Sequence, residues 1–269
     1  MRYIRTEKRY GDKRRSMLTG RVVVWFSCGA ASAVAAKLAV SRYENVQVAY
    51  CASTLSSEHP DNARFLRDVE RWIGQPIEML YSDRYKDTWD VWERTGWLVG
   101  PAGARCTQEL KKAVRQQYED PMGDRQVFGF TREEGARAER FRAANPEVYL
   151  DAILLDEGLG KAECLGIVER AGIEIPAMYR LGYRNNNCIG CVKGQAGYWN
   201  KIRRDFPKHF DRMAQLERRM DVAINKRYEG DRRLRVFLDE LPPDMGSHSD
   251  EPDIECGLLC HMVTQEVCE

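Results

Sequence analysis

The chain has 269 residues, 43% of them apolar and 31% charged, the composition of a globular chain forming one large or two small domains. That excludes collagen-like, mucin-like and wholly disordered chains, and no apolar run approaches the ~20 residues a membrane helix needs. Lys plus Arg (42) nearly cancels Asp plus Glu (41), so any affinity for a polyanion has to be local. The N-terminal stretch lacks the apolar core of a secretory signal, so a cytoplasmic protein with no membrane partner is expected. Nine cysteines, an odd number at irregular spacing, then point to metal, cluster or redox chemistry rather than a disulfide framework.

Residues 1–20 are basic and lack apolar periodicity, and are expected to be a mobile arm. Order is expected from Arg21-Val-Val-Val-Trp-Phe26, a run rich in β-branched and aromatic residues that predicts a buried strand. The small-residue turn Ser27-Cys-Gly-Ala-Ala-Ser32 follows, then an Ala-rich helix over 33–41. Further strands are predicted at 46–51, 77–81 and 126–130, with an edge strand at 152–155. Helices are predicted at 60–74, 87–97, 107–118 and 161–171, the last ended by Gly172. Strands alternating with helices imply an α/β fold, doubly wound around a mainly parallel sheet. From Tyr198 to Tyr228 a charge-rich helical stripe is predicted, leading to a cysteine-rich tail. The expected domains are therefore 21–192 and a helical extension over 193–269.

A strand that ends in small residues and turns into a helix offers backbone N–H groups to an anion, with the helix dipole adding to the attraction. Ser27 and Ser32 are expected to add hydroxyl donors beside Cys28, Gly29 and Ala30. Many α/β proteins carry such a turn for packing alone, and that reading stands beside the functional one. Cys188-Ile-Gly-Cys191 has the spacing of a ligand pair for Zn²⁺ or an iron–sulfur cluster, or of a redox dithiol. Cys256 and Cys260 supply a second pair, so four thiolates for zinc are available. Cys28, Cys51 and Cys164 read as small core residues. Arg132, Arg137, Arg140 and Arg142 follow the fourth strand, either as anion-binding forks or as a solvated face paired with Glu133, Glu134 and Glu139. Lys201–Arg235 carries twelve Lys/Arg against six Asp/Glu, which fits either a solvated amphipathic helix or a nucleic-acid-binding one.

The turn Ser27–Ser32 resembles the loop of the PP-loop (HUP-type) adenine-nucleotide enzymes. Several landmarks in order resemble the phosphoadenosine phosphosulfate (PAPS) reductase family, in its phage and bacterial branch. These are Ser53-Thr-Leu-Ser-Ser-Glu58, Gly129-Phe-Thr-Arg with Arg137, Ile175-Pro-Ala-Met-Tyr-Arg-Leu-Gly-Tyr183 leading into Cys188-x-x-Cys191, and Glu255-Cys-Gly-Leu258. The family's loop acid is replaced by Ala31 and its second glycine by Cys28. The resemblance implies an adenine nucleotide (ATP, PAPS or its 3′-dephosphorylated form) on Ser27–Ser32, Ser53 and Glu58, with Arg137 and Arg140 on its sulfate or phosphate. It implies Cys256 as nucleophile and a [4Fe–4S] cluster on Cys106, Cys188 and Cys191, with Cys256 or Cys260 fourth. Zinc is the alternative. The function implied is that of a sulfonucleotide reductase-like enzyme with a thiol or other electron donor. The alternatives are an ATP-dependent sulfur transferase acting on nucleic acid and a non-catalytic nucleotide sensor. A second copy of the chain is a further expected partner.

Overall fold

All five residues of β1 (Val22–Phe26) are buried, because helices cover both faces of the sheet it centres. The computed structural model describes residues 20–100 and 103–254; the basic arm over 1–19, Cys256 and Cys260 lie outside them. The chain divides into two compact units that interleave in sequence. One comprises the chain up to Ala52 with Asp61–Tyr81 and Ala113–Pro176; the other comprises Ser53–Pro60, Ser82–Lys112 and the chain from Ala177 onward.

The first unit holds β1, β2 (Val46–Cys51), β3 (Glu78–Leu80), β4 (Arg125–Phe128) and β5 (Tyr149–Asp151). They form a single sheet in the order β3-β2-β1-β4-β5, and every pairing is parallel. This is the α/β, doubly wound architecture. The connections leave β1 in opposite directions, so β1 and β4 flank the point where strand order reverses, and a crevice is expected outside their carboxyl ends. Helix α1 (Ala30–Arg42) is built largely from alanine and packs closely over the sheet, with Ala33, Ala35, Ala36 and Ala39 fully buried. Helix α2 (Asn62–Ile73) buries Phe65, Leu66, Val69 and Ile73 and stops at Gly74, whose φ of 84° suits glycine. Helices α3 (Gly135–Ala144) and α4 (Lys161–Arg170) complete the layers. The edge strand expected at 152–155 lies earlier, at β5. Ile153–Asp156 is instead a helical turn that buries Ile153 and Leu154, since a short apolar run fits a buried turn as well as a strand.

The second unit is mainly helical around an aromatic core that includes Trp89, Trp92, Tyr198, Trp199 and Phe210. The helix Thr88–Thr95 is capped by Asp87, whose carboxylate accepts from the Asp90 N–H at 2.9 Å. Arg105–Thr107 begins a helix that widens into a π-helical turn at Gln108–Lys112. The long helix expected over 198–228 is broken twice. Helix α5 (Ala196–Asp205) ends before Pro207, which opens α6 (Pro207–Met220), and α6 ends at Asp221 in a left-handed conformation with φ of 50°. The chain then forms an antiparallel hairpin of β6 (Asn225–Glu229) and β7 (Arg232–Val236) around Gly230-Asp231. Glu217 fixes the hairpin's root: its fully buried carboxylate accepts from the Ile224 and Leu238 N–H groups, both at 2.6 Å.

Candidate functional site

In the first unit, the carboxyl end of β1 leads into a loop shaped by its own hydroxyls. Ser32 Oγ accepts from the Ser27 N–H at 3.0 Å and the Ser27 hydroxyl at 3.1 Å, and donates to the Gly29 carbonyl at 2.9 Å. A hydroxyl has one hydrogen and two lone pairs, so Ser32 is fully committed. The serines expected as donors to an anion are therefore what folds the loop. The first-turn amides of α1 have no intrahelical acceptors, and Gly29 at the cap supplies no side chain. No acid stands in that first turn to compete. Cys28 adopts φ of 61°, the left-handed region that its second-glycine place in the loop favours, and its thiol is fully buried. Gly129, one residue beyond β4, lies against the same turn. A Cβ there would stand 2.9 Å from the Ser32 nitrogen and 3.0 Å from its Cα, so only glycine passes.

The arginines after β4 divide. Arg132 pairs with Glu163 at 3.1 Å, Arg137 with Glu134, and Arg142 with Glu139, the arrangement of a solvated face. Arg137 is also half-buried over the Phe130 ring, 5.5 Å from its centroid. Arg140 is exposed. Cys51 and Cys164 are buried thiols of this unit, and burial pushes Cys164 up to about 12.

In the second unit, Ser53 and Glu58 are buried and tied to protein rather than turned to solvent. Ser53 Oγ accepts from the Ser82 N–H at 2.8 Å, and Thr54 donates to Glu58 at 2.8 Å. The same segment holds the cysteine pair: the Ile189 N–H, inside Cys188-x-x-Cys191, donates to the Ser57 carbonyl at 2.8 Å. Gly190 takes φ of 72° there, and a Cβ on it would meet the Trp199 ring at 3.1 Å. Tyr198, an unforeseen residue, spans the loop. Its hydroxyl accepts from the Cys191 N–H at 2.9 Å and donates to the Cys188 carbonyl at 3.2 Å. Burial, reinforced by the Cys191 and Cys188 sulfurs alongside, holds that phenol well above its ordinary range. Cys106, Cys188 and Cys191 are all buried in this unit, and Cys106 precedes the π-helical turn. Lys111 and Lys112 lie on that turn, half-buried.

The chain approaching the tail is fastened to the residues just before the cysteine pair. Glu251 caps α5, accepting from the Gln195 N–H at 3.0 Å and the Tyr198 N–H at 3.1 Å. Arg184 donates to the Glu251 carbonyl at 2.8 Å and to the Ser249 carbonyl. Asn187 and Asn185 both donate to the Ile254 carbonyl, at 2.8 and 3.3 Å. A small pocket opens here between Tyr183, Asn185, Asn187, Tyr198, His248 and Ile254. Asn185-Asn-Asn187 is visible in the sequence, but its partner is not, because the contact spans 67 residues from Asn187.

A metal ion or cluster needs three or more donors around one point. Among the described residues no group of three His, Cys, Asp or Glu side chains provides that. The three described cysteines of the expected ligand set share a unit but do not by themselves fit an ion or cluster. The remaining donors, Cys256 and Cys260, lie beyond the described residues. No described helix is long and apolar enough to cross a membrane. No family model matches the chain, and no curated protein matches its sequence.

Proposed function

We propose that the chain is a sulfonucleotide reductase-like enzyme that binds an adenine nucleotide and performs sulfur chemistry with cysteine thiols. One observation carries the reading: the α1 amino terminus opens at the strand-order reversal, with Gly129 pressed against its first turn and no acid in it. That is where an open α/β sheet takes its ligand, and amides at a helix start suit the phosphate of an adenylate. The substrate class is an adenylated sulfate. The Cys256 thiolate attacks its sulfur, forming a sulfur–sulfur bond as the sulfur–oxygen bond to the nucleotide phosphate breaks. The nucleotide leaves with the electron pair of that bond. An external thiol then attacks the cysteine sulfur, releasing sulfite and forming a mixed disulfide that a second thiol resolves.

The test is direct. Full-length protein with dithiothreitol and an adenylated sulfate, with and without a 3′-phosphate, should release sulfite and free nucleotide in equal amounts, and Cys256→Ala should release neither. Release of AMP and pyrophosphate from ATP without any sulfite from the sulfonucleotides would overturn the reading.

A further inference from the structure

The β6–β7 hairpin belongs to no part of the thiol or nucleotide chemistry, yet it is strongly basic, and one of its faces has no strand carboxylate; the other also exposes Arg227, Glu229 and Arg232. Lys226 lies opposite Arg235 and Tyr228 opposite Arg233. Residues directly opposite share a face, and faces alternate along each strand. Lys226, Tyr228, Arg233 and Arg235 therefore form one face. Asn225, Leu234 and Val236 belong to the other, where Asn225 and Val236 are buried. All four residues of the first face are exposed, Tyr228 at 61%. The Lys226 ammonium stands 5.7 Å from the Tyr228 ring centroid. Arg235 is held by Asp221 at 3.1 Å. Neither strand places a carboxylate on this face, since Glu229, opposite Arg232, lies on the other.

Two features of this face fit a polyanion that carries flat rings. Lys226 and Arg233 are exposed cations beside Tyr228, while Arg235 is tied to Asp221. The exposed Tyr228 ring offers a face for stacking. We propose that this face binds single-stranded nucleic acid, with phosphates on Lys226 and Arg233 and a base stacked on Tyr228. Lys226 and Arg233 are diagonal neighbours across the ribbon, a spacing of about 7–8 Å and a fair match to successive phosphates of an extended chain. The ring distinguishes a nucleic acid from a plain polyanion, because every base offers a face for stacking. The proposal is independent of the nucleotide and thiol chemistry, since none of its residues takes part in them.

The experiment uses the full chain and fluorescein-labelled mixed-sequence 20-mers of RNA and of DNA, with fluorescence anisotropy read across a salt series. Binding of either oligomer is expected, with affinity falling linearly in log salt. Lys226→Ala and Arg233→Ala should each weaken binding and lower the slope by about 0.7. Tyr228→Ala should weaken it by about 5- to 100-fold with the slope unchanged, and Tyr228→Phe should restore it. Inorganic polyphosphate should compete in wild type and Tyr228→Ala alike. No binding of either oligomer at low salt, or equal affinity in Tyr228→Ala and wild type, would overturn the proposal, as would binding confined to anionic lipid vesicles. RNA-only, DNA-only or shared binding each supports it and names the strand.

Discussion

The Asn187 side-chain amide donates to the Ile254 carbonyl at 2.8 Å, tying the residue before Cys188 to a point two residues before Cys256. The bond, with its weaker companion from Asn185, fastens residue 254 to the segment just before the cysteine pair. Replacing both asparagines with alanine should release that anchor. Losing a bond worth ~1 kcal/mol or slightly more corresponds to about tenfold faster local opening. Hydrogen exchange read by mass spectrometry should show faster exchange over 249–254 and unchanged protection in α6. Unchanged protection over 249–254 would mean that Arg184 and Glu251 hold the segment alone.

Glu217 makes stability depend on pH. Burial raises its carboxyl to about 7, against an ordinary value of 4.5, although two N–H donors pull the other way. Between those values the folded chain keeps a proton that the unfolded chain has released. The contribution is therefore fully present below about pH 4.5 and is lost as pH rises through about 7. Its size is on the order of 3 kcal/mol. Urea unfolding of wild type minus Glu217→Gln should show this slope between pH 5 and 8, with wild type losing ground as pH rises. The variant itself should be less stable at pH 5 by ~1–3 kcal/mol, because an amide cannot accept on both sides. A flat difference would place the carboxyl's titration outside that window.

Much of the first unit was legible because its signals are local. The runs Arg21–Phe26 and Val46–Cys51 are continuous and β-rich; the second strand has those limits and the first begins one residue later, at Val22. The hairpin was hidden by a neighbour's pattern. Met213, Leu216 and Met220 keep helical spacing, and Ile224 continues it, so the stripe ran past the true end at Asp221. The alternation in Asn225-Lys-Arg-Tyr-Glu and the Gly230-Asp231 turn were present, and weighing them against a charged helix would have found the ribbon. Tyr198 and Glu251 could not be found this way. Glu251 caps α5 from 53 residues away, and the Tyr198 hydroxyl closes an irregular loop 7 to 10 residues before it; no local periodicity encodes either contact. The loop hydroxyls of Ser27 and Ser32 show a contact no spacing encodes: their hydrogen bonds close the loop on itself.

Gly129 tests the crevice. An added Cβ would meet backbone atoms of Ser32 at 2.9 and 3.0 Å, and backbone cannot swing aside. Gly129→Ala should cost ~1–3 kcal/mol and weaken adenosine 3′,5′-bisphosphate binding in calorimetric titration. Gly135→Ala is the control, since its nearest neighbour is Leu155 at 3.9 Å. Equal behaviour of the two variants would remove β4 from the nucleotide site.

Tyr198 tests the cysteine loop. Phenylalanine keeps the ring against Trp199 but leaves the buried Cys191 N–H and Cys188 carbonyl without the hydroxyl that joins them. A cost of ~1–3 kcal/mol is expected from urea unfolding. Cys188 and Cys191 should also alkylate faster with iodoacetamide, while Cys164, buried in the other unit, keeps its rate. Unchanged alkylation would show that the Ile189–Ser57 bond suffices.

Metal content separates the contribution of the tail from that of the described thiols. Cys106, Cys188 and Cys191 are buried in one unit, but no three donors among the described residues gather around a point. Any iron or zinc the full chain holds after anaerobic purification is expected to take a tail donor from Cys260, since Cys256 is the proposed nucleophile. The double variant Cys256→Ala/Cys260→Ala should fall to background in both metals by plasma mass spectrometry. Cys164→Ala should keep the wild-type content, because a thiol pushed up to about 12 by burial is protonated at neutral pH, and a thiol must lose its proton to bind. Cys106→Ala should lose metal as severely as Cys188→Ala if its thiolate joins the same centre. Stoichiometric metal in the tail double variant would show that the described cysteines rearrange to complete a site on their own.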